Sequence, residues 1–440
     1  MRRDLSTSAL WLGLYVAAVT LPLFALLPGA ATAGRGLAWD FAMAIGYAGA
    51  AMLGVQFALT ARFRRATAPF GIDLVYFFHR YLAVFALLIV LAHYALLRLR
   101  FPDALGTADP RAAAAHLSAG RVALSLLLAV ALMSLLRRAL HLDYDLWRVT
   151  HAVLATTGFA LALWHLLGSG HYLDSAWKQA LWSGYGAFWL GLIGYVRIVR
   201  PASVRRAPFR VVEVRRERGL IWTLVLTRAA AQPLRFSPGQ FGWLTVRASP
   251  YAMHEHPFSI ASSAERPERI ELSIKQLGDF TSTISDLQPG ETAWFDAPYG
   301  TFGIDGYPDA TGHVFVAGGI GIAPIMSMLR TLADRADPRP LLLFYGNRVW
   351  DRVAFREELE DLRQRLSLCI VHVLIEPPAD WNGERGFVTR EILQRRLPPN
   401  LRQLEYFICG PTPMTQNVER SLAALGIDSS RVHSEIFDWV

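Results

Sequence analysis

Two hydrophobic stretches each carry a pair of histidines at one shared interval: His79 and His93 in one, His151 and His165 in the other, so that 93 − 79 = 14 and 165 − 151 = 14. Imidazole ligates iron, copper and zinc, and ionisable side chains inside a membrane are costly enough that they usually serve a function. At about 1.5 Å rise and about 100° per residue, this interval is nearly four turns, about 21 Å along one helix face. A hydrocarbon core is about 30 Å thick, so each helix would set one imidazole near either leaflet. Four imidazoles on two neighbouring helices could clamp two stacked haems and carry an electron across the bilayer. The midpoints of the two intervals are small, Ala86 and Gly158. They either leave room between macrocycles or serve as ordinary small-residue helix contacts.

Helices able to hold such a ladder must come from the apolar half of the chain. Hydrophobic residues make up 53% of the 440 residues, and nearly all long apolar runs fall before Arg200, after which soluble alternation sets in. Six stretches approach the roughly 20 apolar residues of a spanning helix: 9–30, 38–60, 75–97, 120–140, 147–168 and 177–198. Arg2 and Arg3 ahead of the first could open a secretory signal, but no small-residue cleavage site follows a short core, so the first helix is kept. Positive charge clusters at alternate ends: Arg2 and Arg3; Arg62, Arg64 and Arg65; Arg137, Arg138 and Arg148; Arg197, Arg200, Arg205 and Arg206. The positive-inside rule makes these ends cytoplasmic, although Arg98, Arg100, Arg111 and Arg121 in the third-to-fourth connection depart from it. Helices three and five then run in one direction, which levels His79 with His151 for an inner haem and His93 with His165 for an outer one. Filled axial positions on both irons suit electron transfer rather than ligand binding at iron. Arg80 and Arg148, each close to an inner histidine, are either propionate partners or interfacial anchors.

The formal net charge of +8 lies largely at membrane flanks, so anionic lipid accounts for it and no nucleic-acid partner is expected. Cys369 and Cys409 are the only cysteines, which supports neither a disulfide framework nor a thiolate metal site. A transporter would need charged groups at the midplane, and the apolar runs show none. Pro201 is expected to end the sixth helix. The expected division is 1–204 for the membrane half, 205–307 for a β-rich domain and 308–440 for an α/β domain.

From Phe209 the pattern turns to short β-rich runs, FRVVEV, LIWTLVLTR, GQFGWLTVR and RIELSIKQL, separated by Gly, Pro and charged turns, which suggests a small antiparallel barrel. Further on, HVFVAGGIGIAPIMSMLR reads as strand, glycine turn, helix. Gly318, Gly319 and Gly321 let the backbone approach a pyrophosphate, and the helix that opens with Ala323 and Pro324 offers its N-terminus to the charge. LLLFYGNR brings Gly346, Asn347 and Arg348 to a second strand end, and YFICGP brings Cys409, Gly410 and Pro411 to a third. Three converging ends describe a doubly wound sheet that binds a dinucleotide at its carboxyl edge.

PGQF at 238–241, HPFSIASS at 256–263, LGDFT, GGIGIAP, YGNR and CGP occur in the order found in ferredoxin-NADP reductase-like flavoproteins. With the histidine pairs upstream, the chain from about its second helix onward resembles the bacterial branch of the ferric reductase and NADPH oxidase superfamily. The fold class expected is a membrane all-α six-helix bundle, then an antiparallel β-barrel FAD domain and an α/β Rossmann-like NAD(P)-binding domain. The resemblance implies FAD, two haem b groups and NADPH, NADH being possible, as cofactors.

It also implies roles for single residues. The segment His256, Pro257, Phe258 and Ser259 lies along the flavin: Pro257 fixes a turn, Phe258 offers an aromatic wall, and Ser259 can bond the polar edge of the ring. His256 either stands near the FAD phosphates or is a surface histidine before a strand, and Gly278, Phe280 and Thr281 open a short helix whose amides and hydroxyl receive the pyrophosphate. Lys275 either joins this site or is a solvated strand lysine. Arg348 either pairs with a 2′-phosphate, favouring NADPH, or is a solvated surface arginine. Cys409 either helps position the nicotinamide or is a buried small hydrophobe. Phe437 is the first choice for the aromatic that covers the flavin until nicotinamide displaces it, Trp439 the alternative, and an ordinary edge-strand aromatic the remaining reading.

The function expected is that of an enzyme in the bacterial inner membrane, with both termini cytoplasmic. Electrons pass from NADPH through FAD and the inner and outer haems to a small-molecule acceptor outside the cytoplasm. Dioxygen, giving superoxide, is the first expectation, because neither an extra extracellular domain nor a metal-binding cluster is visible; a ferric chelate is the alternative. A subunit feeding a periplasmic protein partner is a third reading, against which the fused flavin and nucleotide domains argue. No regulatory partner is implied.

Overall fold

The computed structural model describes residues 2–27, 36–61, 72–170, 172–228 and 233–436. Phe437 and Trp439, and with them Arg62, Arg64 and Arg65, lie outside the described residues. The chain divides into two compact units, 2–201 and 202–440.

The first unit is built from helices α1 (Arg2–Phe24), α2 (Leu37–Thr60), α3 (Ile72–Arg100), α4 (Ala115–Leu135), α5 (Tyr144–Ser169) and α6 (Ala176–Gly194). Four of the described helical segments are long and apolar enough to cross a membrane: Leu37–Thr60, Val75–Arg100, Ala115–Leu135 and Tyr144–Ser169. The apolar part of α1, Ala9–Phe24, is shorter, and α6 is not among the four. Helix α5 starts where the Asp143 carboxylate accepts the amides of Asp145 and Leu146, each at 3.0 Å, and stops at Gly170 in the left-handed conformation. Helix α4 runs about one turn ahead of its expected bounds, ending at Leu135 before the Arg137-Arg138 turn. Pro201 does not end the sixth helix as expected. A π-helical turn, Tyr195–Val199, leads into α7 (Arg200–Arg205), and Pro201 falls in the first turn of α7, where a missing N–H costs least.

Helix α2 packs closely against α3, and α4 against α5, whereas α3 and α5 have little direct backbone approach. Close packing needs small residues. A methyl group on Gly49 would lie 2.5 Å from Val90 Cγ2 and 3.6 Å from the Ala86 carbonyl, and one on Gly158 would lie 3.2 Å from Leu127 Cγ and 3.6 Å from the Ala123 carbonyl. Gly158 thus lies in the contact of α5 with α4, and the Ala86 carbonyl in the contact of α3 with α2. The outward faces carry exposed Phe85, Leu88, Val153 and Trp164, an arrangement that suits lipid better than water.

The second unit begins with β1 (Phe209–Arg216), β2 (Ile221–Arg228), β3 (Phe241–Val246), β4 (His256–Ser259), β5 (Arg269–Lys275), the one-turn helix α8 (Asp279–Ser282) and β6 (Thr292–Tyr299). These strands form an antiparallel sheet in the order β4-β3-β6-β1-β2-β5, and a bridge from Ile260 to Leu272 joins the chain after β4 to β5. In β6 the period-2 pattern turns Ala293, Phe295, Ala297 and Tyr299 inward, the first three into one cluster with Leu224, Leu244, Ile260 and Leu272.

There follow β7 (His313–Gly318), α9 (Ile322–Asp334), β8 (Leu341–Asn347), α10 (Arg356–Arg365), β9 (Leu368–Leu374), β10 (Glu384–Arg385), α11 (Arg390–Arg396), β11 (Glu405–Gly410), α12 (Thr412–Ala424) and β12 (Val432–Ile436). Their sheet is parallel throughout, in the order β10-β9-β8-β7-β11-β12. β7 and β11 are buried along their whole length, as parallel strands covered on both faces must be. Helix α9 ties this sheet to the antiparallel one. The Arg330 guanidinium donates to the Ala261 carbonyl at 2.7 Å, to Glu271 at 3.2 Å and to Glu358 at 2.6 Å, and the Ser327 hydroxyl donates to the Ser262 carbonyl at 2.7 Å.

Candidate functional site

The ring centres of His79 on α3 and His151 on α5 are 6.3 Å apart. Two imidazoles gripping one metal ion from opposite sides, with metal–nitrogen bonds of about 2.0 Å and about 1.1–1.2 Å from nitrogen to ring centre, put their centroids about 6.2–6.4 Å apart. The tautomers agree with that arrangement. Ser134 donates its hydroxyl hydrogen to the Val130 carbonyl at 2.7 Å, so its oxygen accepts from His151 Nδ1 at 3.1 Å and from Trp147 Nε1 at 3.3 Å. A donated Nδ1–H leaves the Nε2 lone pair free for a metal. His79 Nδ1 is buried without a hydrogen-bond partner.

The other two histidines repeat one local device. His93 donates from Nδ1 to the Ala42 carbonyl at 2.7 Å, and His165 to the His116 carbonyl at 3.0 Å. One helical turn beyond each acceptor is a glycine, Gly46 on α2 and Gly120 on α4, where a methyl group would lie 2.8 Å and 2.7 Å from the respective Nδ1. Each imidazole is thus seated on the neighbouring helix with Nε2 left as the acceptor nitrogen. His116 was not anticipated. Its ring stacks 6.3 Å from that of His165 at 28°, and its own carbonyl takes the His165 Nδ1 proton. The residues fit bis-imidazole ligation of a haem. Among the possible propionate partners, Arg148 is buried, beside Tyr144, while Arg80 is exposed.

In the antiparallel sheet, register sets Phe241 opposite Ser259, Gly242 opposite Phe258, Trp243 opposite Pro257 and Leu244 opposite His256. The Ser259 hydroxyl is buried without a partner, which an apolar neighbour would leave at a cost of about 1–3 kcal/mol and a polar ligand edge would relieve. His256 stacks on Phe280 at 4.0 Å, and Phe258 is stacked with the same ring at 5.9 Å, giving aromatic faces of the kind that hold a planar ring system. At α8 the Thr281 hydroxyl oxygen accepts the amides of Leu277 and Gly278 at 2.8 and 2.9 Å. Its own hydrogen goes to the Gly278 carbonyl at 2.9 Å, which shapes the turn. Lys275 is half-buried at the end of β5, just before this turn.

In the parallel sheet, register pairs Gly318 with Gly346 and Ala317 with Cys409, so the three expected strand ends stand side by side. A methyl group on Gly321 would lie 2.1 Å from the Cys409 carbonyl oxygen, and one on Gly318 would lie 2.6 Å from Met414 Sδ and 3.0 Å from Pro411. Gly319 has φ +54° with open space where a side chain would project, and its carbonyl accepts the Tyr345 hydroxyl at 3.3 Å. Ala323 and Pro324 are buried in the first turn of α9. The Cys409 side chain is fully buried in the apolar cluster with Phe302, Ile322 and Phe407, and burial, with Glu435 nearby, pushes its thiol well above the ordinary range. The thiol is thus held in its neutral form inside the packing, with Gly410 and Pro411 following at the strand end. Arg348 is paired with Glu376 at 2.9 Å, a partner the sequence pattern did not disclose.

Three family models match consecutive stretches: "Ferric reductase like transmembrane component" over residues 45–163, "FAD-binding domain" over 208–291 and "Oxidoreductase NAD-binding domain" over 315–420. The glycine betaine monooxygenase reductase subunit of Chromohalobacter salexigens is 30% identical over 217 residues, 47% of this chain and 58% of that protein. NADH-cytochrome b5 reductase 1 of Candida glabrata is 30% identical over 177 residues, 39% of this chain and 61% of that protein. The chain thus spans about 58–61% of the length of these two curated relatives. A flavohemoglobin structure from Malassezia yamatoensis superposes with TM-score 0.50 at 16% identity, covering 90% of this chain and 97% of that one, a likeness of fold alone.

Proposed function

From a chain that has the domain architecture of the ferric reductase and NADPH oxidase-like flavocytochrome family, we propose a transmembrane oxidoreductase that moves electrons from a cytoplasmic nicotinamide dinucleotide to an acceptor across the bilayer. The observation that carries this reading is the 6.3 Å separation of His79 and His151, with the same lone pair left free on His93, His151 and His165. FAD, when bound, would accept a hydride and release electrons singly, and two haems, when bound, would relay them across the membrane. The chain's own work is to hold and orient. Ser134 and the Ala42 and His116 carbonyls fix the imidazoles; Phe258, Phe280 and Ser259 seat the flavin ring; Gly318, Gly319, Gly321, Gly346 and Gly410 admit the dinucleotide close to the backbone.

The reading includes six spans, α1 and α6 completing the four apolar helices, a closed barrel joined through Ile260 and Leu272, and both termini on the cytoplasmic side of a bacterial inner membrane. Dioxygen is the first acceptor proposed and a ferric chelate the second. Purified protein loaded with haem and FAD should be given NADH or NADPH while superoxide and ferrous chelate are followed in parallel. Dye reduction abolished by superoxide dismutase supports dioxygen. Chelate reduction that survives both dismutase and removal of oxygen reverses that choice, and inertness until a protein partner is added makes the chain an electron-transfer subunit.

A further inference from the structure

We infer that Glu376 makes the dinucleotide site select NADH over NADPH. This rests on the proposal that the carboxyl edge of the parallel sheet binds a nicotinamide dinucleotide.

The ladder between β8 and β9 does not stop at the last strand residues. The Ile375 amide donates to the Asn347 carbonyl at 3.1 Å, and the Glu376 amide to the Arg348 carbonyl at 2.8 Å. Two backbone bonds in series therefore hold the Arg348 and Glu376 side chains abreast, and their charges meet at 2.9 Å. Both remain more than half exposed, Arg348 at 63% and Glu376 at 54%, so the pair stands at the mouth of the site rather than inside the fold. The surroundings suit an adenosine half. A methyl group on Gly346 would come no closer than 3.6 Å to its neighbours, the Ala317 carbonyl and Val388, which leaves close backbone approach open there. Large apolar side chains, Ile375 and Phe387, lie exposed on the adjoining segments, at 42% and 65%.

An arginine alone at this strand end would attract a 2′-phosphate. An arginine already paired with a carboxylate on the adjoining strand end attracts it less. A 2′-phosphate, carrying close to two negative charges, would have to displace Glu376 or sit against it. A ribose with a free 2′-hydroxyl instead finds in Glu376 an acceptor for its hydrogen, the way acidic residues read NAD in other doubly wound sheets. Repulsion of that kind at about 4 Å in a solvated mouth discriminates by roughly tenfold or more.

The test is calorimetric titration of the detergent-solubilised full chain with ADP-ribose and with its 2′-phosphorylated analogue, which needs no turnover. The wild type should bind ADP-ribose about tenfold or more tightly than the analogue, and Glu376→Gln should erase that ratio chiefly by tightening the analogue. Glu376→Asp, which keeps the charge, should retain most of the preference. The KM for NADH and for NADPH in flavin reduction should move in the same sense. Tighter binding of the analogue by the wild type, or an unchanged ratio in Glu376→Gln, overturns the inference and leaves the dinucleotide site standing. Binding of neither ligand removes the site and the inference together.

Discussion

Arg330 on α9 and Glu271 on β5 meet at 3.2 Å with both side chains nearly buried, and through this pair the parallel sheet is fastened to the antiparallel one. A flavin on one sheet and a nicotinamide on the other can exchange hydride only if the two sheets hold a fixed relation. Arg330→Met would open the pair with Glu358 and strip the Ala261 carbonyl of its donor, while Glu271 keeps Arg215 and Arg269, so the loss should be about 1–3 kcal/mol. Chemical denaturation of the second unit, followed in the full chain, should show that loss. Arg330→Lys should recover only part of it, because one ammonium cannot serve three acceptors in fork geometry.

Acid should loosen the parallel sheet before it titrates the carboxylates. Burial, with Arg339 also contributing, pulls His313 down to about 4, and burial, with Arg356, does the same to His372. Both are neutral in the fold, and an unfolded histidine takes its proton near 6.5. Between those values the unfolded chain binds protons that the folded chain refuses, so stability is full above about pH 6.5 and falls as pH drops toward 4. The melting temperature of the second unit should fall over that window, and His313→Phe should flatten the slope.

Much of this was legible in the chain itself, and the gaps have physical causes. Period and hydropathy disclose the apolar helices, and glycine spacing discloses the three strand ends, because both are local signals. Arg330 stands out only as one charge in IAPIMSMLRTL, and nothing local says that it crosses to another sheet. Glu376 gains meaning only from the β8–β9 register. His116 shares no interval with the paired histidines; its role comes from a carbonyl, which every residue has. Pro201 misled because a π-turn before it changes which residue opens the next helix.

The glycine contacts separate two substitutions of identical chemistry. Gly321→Ala forces a methyl group to 2.1 Å from the Cys409 carbonyl oxygen, whereas Gly346→Ala meets nothing nearer than 3.6 Å. The first should displace the backbone of the dinucleotide turn and cut ADP-ribose binding by roughly tenfold or more. The second should fold normally, with a smaller loss of affinity. Equal behaviour of the two in a binding titration would separate the loop from the ligand.

Ser259 offers a test in which stability and function move in opposite directions. Removing a buried hydroxyl that lacks a partner should leave the flavin-free fold unchanged or steadier by about 1 kcal/mol. The same Ser259→Ala change should weaken FAD retention, read as flavin per chain after gel filtration. A loss of both would mean that the hydroxyl serves the fold.

The histidine ladder is tested most directly by counting porphyrins. Pyridine haemochrome assay against protein mass, on the reconstituted full chain, should give two haems, and low-spin bis-imidazole spectra for both. His79→Leu with His151→Leu, and separately His93→Leu with His165→Leu, should each leave one. A wild-type chain that holds a single haem, or either double variant that keeps two, would contradict the account.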